Sequence, residues 1–221
     1  MSLTLYYHPL ASFCHKVLIA LYERGIAFEK RFIDLANPDD QDALESVWPL
    51  RKFPVIHDAI RDRNVAETSI IIEYLDQHFD GAPPLIPADA GEALEVRLWD
   101  RIFDNHVQVP MNEIVFDRLF GRNDDVSRWR SALDVAYAMI DRQLGGQRTW
   151  ICGDAFSMAD CSAAPALFYA STVQAFPESA TRLHAYFERL VERPSVRQVI
   201  EDAAPYFPLY PYAEAIPKRF R

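Results

Sequence analysis

Glycine is scarce: seven in 221 residues. There is no G-x-G-x-x-G, no P-loop and no G-x-S-x-G elbow, so the common dinucleotide, phosphate-cradling and serine-hydrolase signatures are all missing. Cysteine is scarcer, three in number, odd and widely spaced, with no C-x-x-C pair. That argues against a disulfide framework and fits a reducing, cytoplasmic setting. The six histidines show no metal-ligand spacing among themselves, so no metal site is expected. Basic charge is in deficit: 23 Lys and Arg against 32 Asp and Glu, a net charge of −9. A duplex nucleic-acid binder needs a basic footprint, and an anionic membrane surface repels this chain, so neither partner is expected. No apolar run approaches the roughly 20 residues that cross a bilayer. Met1-Ser2-Leu3-Thr4 carries no basic n-region and no cleavage signature, so no secretory leader is expected.

What is present is ordinary globular material. Half of the residues are hydrophobic and a quarter are charged, in a chain long enough for one large domain or two small ones. The first eighty residues alternate strand and helix signals. Leu3 to Tyr7 reads as a strand stopped by Pro9, and Cys14 to Glu23 as a helix with Val17, Leu18, Leu21 and Tyr22 on one face, ended by Gly25. A second strand is expected over Ala27 to Asp34 and a weak helix after Asn37-Pro38. A short strand follows at Pro54 to His57, pairing with Asn64 to Ala66 across a turn without glycine. A helix over Glu67 to Phe79 has Ile70, Ile71, Tyr74 and Leu75 as its stripe. The order β-α-β-α-β-β-α implies one parallel pair and one antiparallel hairpin. Gly81-Ala82-Pro83-Pro84 reads as the start of a linker over residues 82–91, which separates residues 1–81 from an all-helical region over 92–221. In that region a helix from Glu92 to about Phe120 is kinked by Pro110. Helices follow over Arg128 to Leu144, Met158 to Ser171 (apolar nearly all round) and Arg182 to Glu192, and the proline-rich tail wraps the surface.

Three places carry candidate chemistry. The turn His8 to Cys14 presents backbone N–H groups and the positive end of a helix dipole, where a hydroxyl or thiol stabilises an anion. Ser12 read alone is equally a helix N-cap, and Cys14 a small buried residue. At Lys52-Phe53-Pro54-Val55 a proline enters a strand. A cis bond there would expose the Phe53 backbone to a peptide-like ligand, and a plain strand start is the alternative. At Glu67-Thr68-Ser69 a strand meets a helix N-terminus. That suits both charges of an amino acid, and it also suits a simple cap. Ser157-Met158-Ala159-Asp160 fits a capping box with Asp in place of Glu or Gln, a folding signal.

Five stretches together resemble the glutathione transferase superfamily along essentially the whole chain. They are Leu5-Tyr6-Tyr7; Ser12-Phe13-Cys14-His15-Lys16-Val17; Phe53-Pro54-Val55; Glu67-Thr68 with Ile72-Glu73-Tyr74-Leu75; and Gly153 with Ser157-Met158-Ala159-Asp160. The resemblance implies an α/β thioredoxin-like N-terminal domain that binds glutathione, then an all-α C-terminal helical domain with a hydrophobic co-substrate pocket, in a homodimer. It implies that Ser12 donates to the glutathione sulfur, with Tyr7 ranked second for that role and Cys14 third. Phe53 beside Pro54 would pair with the cysteinyl unit, Lys52 would reach the glycyl carboxylate, and Glu67 with Thr68 would hold the γ-glutamyl group. His106, Pro110 and Met111 would face a hydrophobic electrophile, while Trp99 and Phe103 more readily pack the core.

The chain departs from the pattern at Ala11, where serine-type members often carry the hydroxyl and cysteine-type members the thiol. A glutathione-dependent isomerase of an unsaturated keto acid, for which Arg118 and Arg122 are suggestive, and a non-catalytic ligand-binding protein are the alternatives to a transferase.

Overall fold

The computed structural model describes residues 2–146 and 148–221. The chain divides into two compact units, one running to Leu85 and the other starting at Ile86.

The first unit contains β1 (Leu3–Tyr7), α1 (Ser12–Glu23), β2 (Glu29–Phe32), α2 (Pro38–Val47), β3 (Val55–Asp58), β4 (Arg63–Ala66) and α3 (Thr68–His78). The four strands form one sheet in the order β2-β1-β3-β4. β1 runs parallel to β2 and antiparallel to β3, and β3 and β4 form the antiparallel hairpin. Side chains alternate across a pleated strand. One row of the sheet is Tyr6, Val55 and Ala66, and the next is Leu5, Ile56 and Val65. Val55 and Ala66 of the first row cluster with Ile33 and with Leu44 of α2, and Tyr6, Val47, Trp48 and Phe53 pack against that cluster. α1 packs against α3. The buried stripe of α3 is Thr68, Ile71, Ile72 and Leu75, an i, i+3, i+4, i+7 series, with Tyr74 beside it. Ile70, expected in that stripe, is instead 54% exposed, because it lies one position before the turn that faces inward.

The glycine-free hairpin turn is organised by Asp58, which is fully buried. Its carboxylate accepts from the Ile60 N–H at 3.0 Å, the Arg61 guanidinium at 2.8 Å and the Tyr74 hydroxyl at 2.8 Å. Asp62 supplies the left-handed residue of the turn at φ 47°, a conformation that Asp tolerates better than most residues.

The second unit is helical: α4 (Ala90–Ile102), a π-helical turn (Phe103–Gln108), α5 (Val109–Phe120), α6 (Ser127–Gln143), α7 (Met158–Val173), α8 (Thr181–Glu192) and α9 (Pro194–Ala203), followed by short 3-10 turns. The expected kinked helix from Glu92 to Phe120 is therefore two helices joined by a π turn. Pro110 has no N–H to give an α-helical partner, and the Val109 N–H just before it reaches back five residues to the Asp104 carbonyl. Trp99 and Phe103 are buried and pack against each other, with ring centroids 6.1 Å apart. α9 was not anticipated. The preceding helix ends at Glu192, ahead of Pro194, and Pro194 then opens α9, because a proline at the first helical position has the right φ and loses no needed donor. Among the described residues no helix is long and apolar enough to cross a membrane.

α7 is buried on almost every side and continues through Pro165. Its start is fixed by Asp160, which is fully buried. That carboxylate accepts from the Ser157 N–H and hydroxyl at 2.9 Å each, from the Ile151 N–H at 3.1 Å and from the Tyr186 hydroxyl at 2.6 Å. One side chain thus ties the preceding loop, α7 and α8 together.

Two stability predictions follow from these buried carboxylates. Burial pushes the Asp58 carboxyl up, but the bonds from Arg61, Tyr74 and the Ile60 and Arg61 N–H groups outweigh it and hold it below the ordinary range. A depressed folded-state value stabilises above the unfolded value of about 3.9 and is lost as pH falls through the folded one. Acid unfolding of the native protein, followed by circular dichroism, should be steeper below about pH 4 than that of Asp58→Asn. For Asp160→Ala, which leaves buried donors without an acceptor, thermal melting should show a loss of about 2–4 kcal/mol. A melt within about 0.5 kcal/mol of the parent would remove Asp160 from this role.

Candidate functional site

The sheet register explains why three separated stretches meet. Tyr6, Val55 and Ala66 lie in one row. β1 leaves that row toward its C-terminal end, β3 enters it, and β4 ends on it. The turn after β1 (residues 8–11), the Phe53-Pro54 pair before β3 and the Glu67-Thr68 junction after β4 therefore all emerge at one end of the sheet. The C-terminal end of β2 is there too, since Tyr7 pairs with Phe32.

The turn is held from several directions. The Leu10 N–H donates to His8 Nδ1 at 3.2 Å, and the Ala11 N–H donates to the His8 carbonyl at 3.1 Å. The Pro9 carbonyl accepts from the Nε2–H of His15, a buried residue of α1, at 2.5 Å. Ala11 is the helix cap, at φ −78° and ψ 111°, with no side-chain oxygen to offer. Its carbonyl accepts from the Cys14 and His15 N–H groups. Ser12 is thus the first helical residue rather than the cap, 7% exposed, at the positive end of the α1 dipole. Tyr7 is the last residue of β1 and half-buried, and its carbonyl accepts from the Ile33 N–H at 2.9 Å.

Cys14 is fully buried. Burial pushes its thiol up to about 12, and the neighbouring His8 backbone only partly offsets that. A thiol that stays protonated at neutral pH is no nucleophile. The third-ranked candidate is a core residue.

The Phe53-Pro54 peptide bond is cis. Phe53 is half-buried, Pro54 buried and Lys52 exposed. His8 lies against this pair: its ring stacks on Phe53 with centroids 6.1 Å apart and planes 18° from parallel, and it meets Phe32 at 5.4 Å.

Glu67 is an L-residue at φ 66°, a conformation that costs free energy and concentrates at functional sites. It is exposed and sits directly before Thr68, the buried first residue of α3. Behind it the Lys16 ammonium, 1% exposed, donates to Ser69 Oγ at 3.0 Å. A buried cation thus lies under the junction. The sequence reading used Lys16 only as part of a motif, and its position four residues into an apolar helix face was the available signal.

In the second unit His106 is exposed on the π turn, whereas Pro110 and Met111 are buried at the start of α5. Among the described residues no group of three or more His, Cys, Asp or Glu is arranged to hold a metal ion.

The family model for the glutathione S-transferase N-terminal domain matches residues 5–83, and that for the C-terminal domain matches residues 123–189. The chain belongs to the glutathione transferase superfamily. A stringent starvation protein A homolog from Coxiella burnetii is 28% identical over 203 residues, covering 91% of this chain and 92% of that protein. A probable glutathione S-transferase from Nicotiana tabacum is 27% identical over 152 residues, 68% of this chain and 63% of that one. Among solved structures, a Methylobacillus flagellatus glutathione S-transferase with glutathione bound superimposes with a TM-score of 0.77 at 21% identity, over 90% of this chain and 98% of its own. That likeness shows the superfamily fold: a mixed sheet with helices, followed by a helical unit.

The state of Cys14 gives a direct check. In the native protein at about pH 8, below the raised value, iodoacetamide should leave Cys14 unmodified over hours, and denaturation should make it react. Rapid native modification of Cys14, read by peptide mass, would restore it as a candidate nucleophile.

Proposed function

We propose that this chain binds glutathione at the sheet end and activates its thiol for attack on a hydrophobic electrophile. The observation that carries the reading is the convergence there of Ser12 at a helix N-terminus, the cis Phe53-Pro54 bond and the positive-φ Glu67 before Thr68. Each suits one part of the tripeptide. Glu67 faces an ammonium, while the Thr68 hydroxyl and the α3 N-terminus face a carboxylate. The Phe53 backbone offers strand-like pairing to the cysteinyl unit, and Lys52 the charge for the glycyl carboxylate. Ser12 donates a hydrogen bond to sulfur. With the α1 dipole this favours thiolate over thiol, so the thiol proton leaves to solvent, the sulfur lone pair forms the bond to carbon, and in an aryl halide the halide departs to solvent with the carbon–halogen bonding pair. Tyr7 is the second candidate for that donor. In the second unit we assign His106 to the electrophile, with Pro110 and Met111 shaping the helix start beside it. Three cysteines, odd in number and widely spaced, suit a reducing, cytoplasmic setting, and a homodimer is the expected assembly.

A second reading has a specific observation behind it. Ala11 leaves the cap without a hydroxyl, and relatives aligned over nine-tenths of the chain are described as stringent starvation protein A homologs. A protein that binds glutathione without activating it fits both.

Titrating the thiolate absorbance of bound glutathione separates the two. A free thiol of this kind ionises near pH 8.5. The transferase reading expects the bound thiol about one unit lower or more. It also expects Ser12→Ala to abolish the shift and to reduce kcat with an aryl halide about 10-fold or more. An unshifted thiol selects the binding protein, and an unchanged rate in Ser12→Ala moves the donor role to Tyr7.

A further inference from the structure

We infer that His8 is a positioning residue of the proposed glutathione site: its Nδ1 fixes the turn that presents Ser12, and its ring clamps that turn to Phe53. The inference rests on the glutathione-binding reading above and adds a residue to it.

Four contacts of one residue carry the argument. Pro9 has no N–H, so the first two donors of the turn belong to Leu10 and Ala11. His8 takes both, the first on Nδ1 at 3.2 Å and the second on its carbonyl at 3.1 Å. Its backbone also lies against the Cys14 thiol inside α1. The imidazole then stacks on Phe53, the residue that leads into the cis bond. The turn and the Phe53-Pro54 segment are distant in sequence, and this ring holds their spacing from both sides.

The acceptor role requires a neutral ring with its proton on Nε2. Protonation would turn Nδ1 into a donor facing the Leu10 donor and would place a charge against Phe32 and Phe53. Burial lowers the ring's pKa below the ordinary histidine value, and Asp34, facing it from beyond β2, acts weakly the other way. From α1 the neighbours are the Cys14 thiol and His15, which is engaged on the Pro9 carbonyl. Lys52, exposed, precedes Phe53. The ring is therefore neutral at pH 7, and its acceptor bond is lost as pH falls below the normal histidine range.

Two variants separate the hydrogen bond from simple packing. His8→Phe keeps an aromatic ring but removes the acceptor. His8→Asn removes the ring but places Oδ1 where Nδ1 accepts, in the manner of an Asx turn. Calorimetric titration with glutathione from about pH 5.5 to pH 8 should show His8→Phe binding about fivefold or more weakly at neutral pH and His8→Asn within about twofold of the native protein. The native protein should lose affinity toward the acid end, and His8→Asn should lack that limb. Native-like binding by His8→Phe, or equal losses in both variants, overturns the positioning role while leaving the glutathione reading intact. No binding by the native protein overturns both. Should His8→Phe not fold, the comparison of acid limbs between the native protein and His8→Asn decides: matching limbs overturn the inference.

Discussion

The N-terminal unit depends on the central place of β1. With β2 parallel on one side and β3 antiparallel on the other, this strand sets which ends of its neighbours point the same way. A slip of one residue would exchange its inward and outward faces, moving Leu3 and Leu5, both fully buried, out of the core. It would also move the turn carrying Ser12 away from the Phe53-Pro54 pair. Core packing and site assembly are therefore one constraint, enforced by the same ladder.

Much of this was legible in the residues, and what was not has identifiable causes. The parallel first pair and the later hairpin followed from element order and loop lengths, because a short hairpin can only be antiparallel and a strand-helix-strand unit strongly favours a parallel pair. The site stretches were legible because their residue types are unusual where they stand: proline entering a strand, and an acid with a hydroxyl at a helix start. Helix interruptions were harder. Pro110 permits a kink, a break or a π turn. The outcome depends on where the preceding N–H groups find acceptors, and periodicity does not show that. The helix that Pro194 opens was missed because proline ends helices and also begins them. Ile70 was misplaced because three successive isoleucines fit two neighbouring stripes equally well, and only the position of Thr68 and Leu75 selects one. The contacts of His8 and Lys16 were invisible for a different reason: each joins segments that only the folded chain brings together.

The helical unit uses buried carboxylates as the sheet unit uses its ladder. Asp160 gathers four donors from three segments. Asp100, 1% exposed, accepts from Ser162 of α7 and from Arg101, which also reaches Asp104 inside the π turn. Apolar packing alone leaves such helices free to slide past one another, and directional acceptors at fixed depth set their register. With few glycines, and no disulfide among the described residues, the helical unit sets its register by this means.

Ala11 has an evolutionary consequence. Its backbone is already extended as a cap requires, and two N–H groups of α1 already converge on its carbonyl. The position is built for a hydroxyl that the side chain does not supply. Serine is one nucleotide away from alanine in the genetic code and would cap the helix, a change worth about 1 kcal/mol. The missing hydroxyl is therefore within easy mutational reach, and the side chain at position 11 is where closely related lineages of this fold would be expected to part in their chemistry.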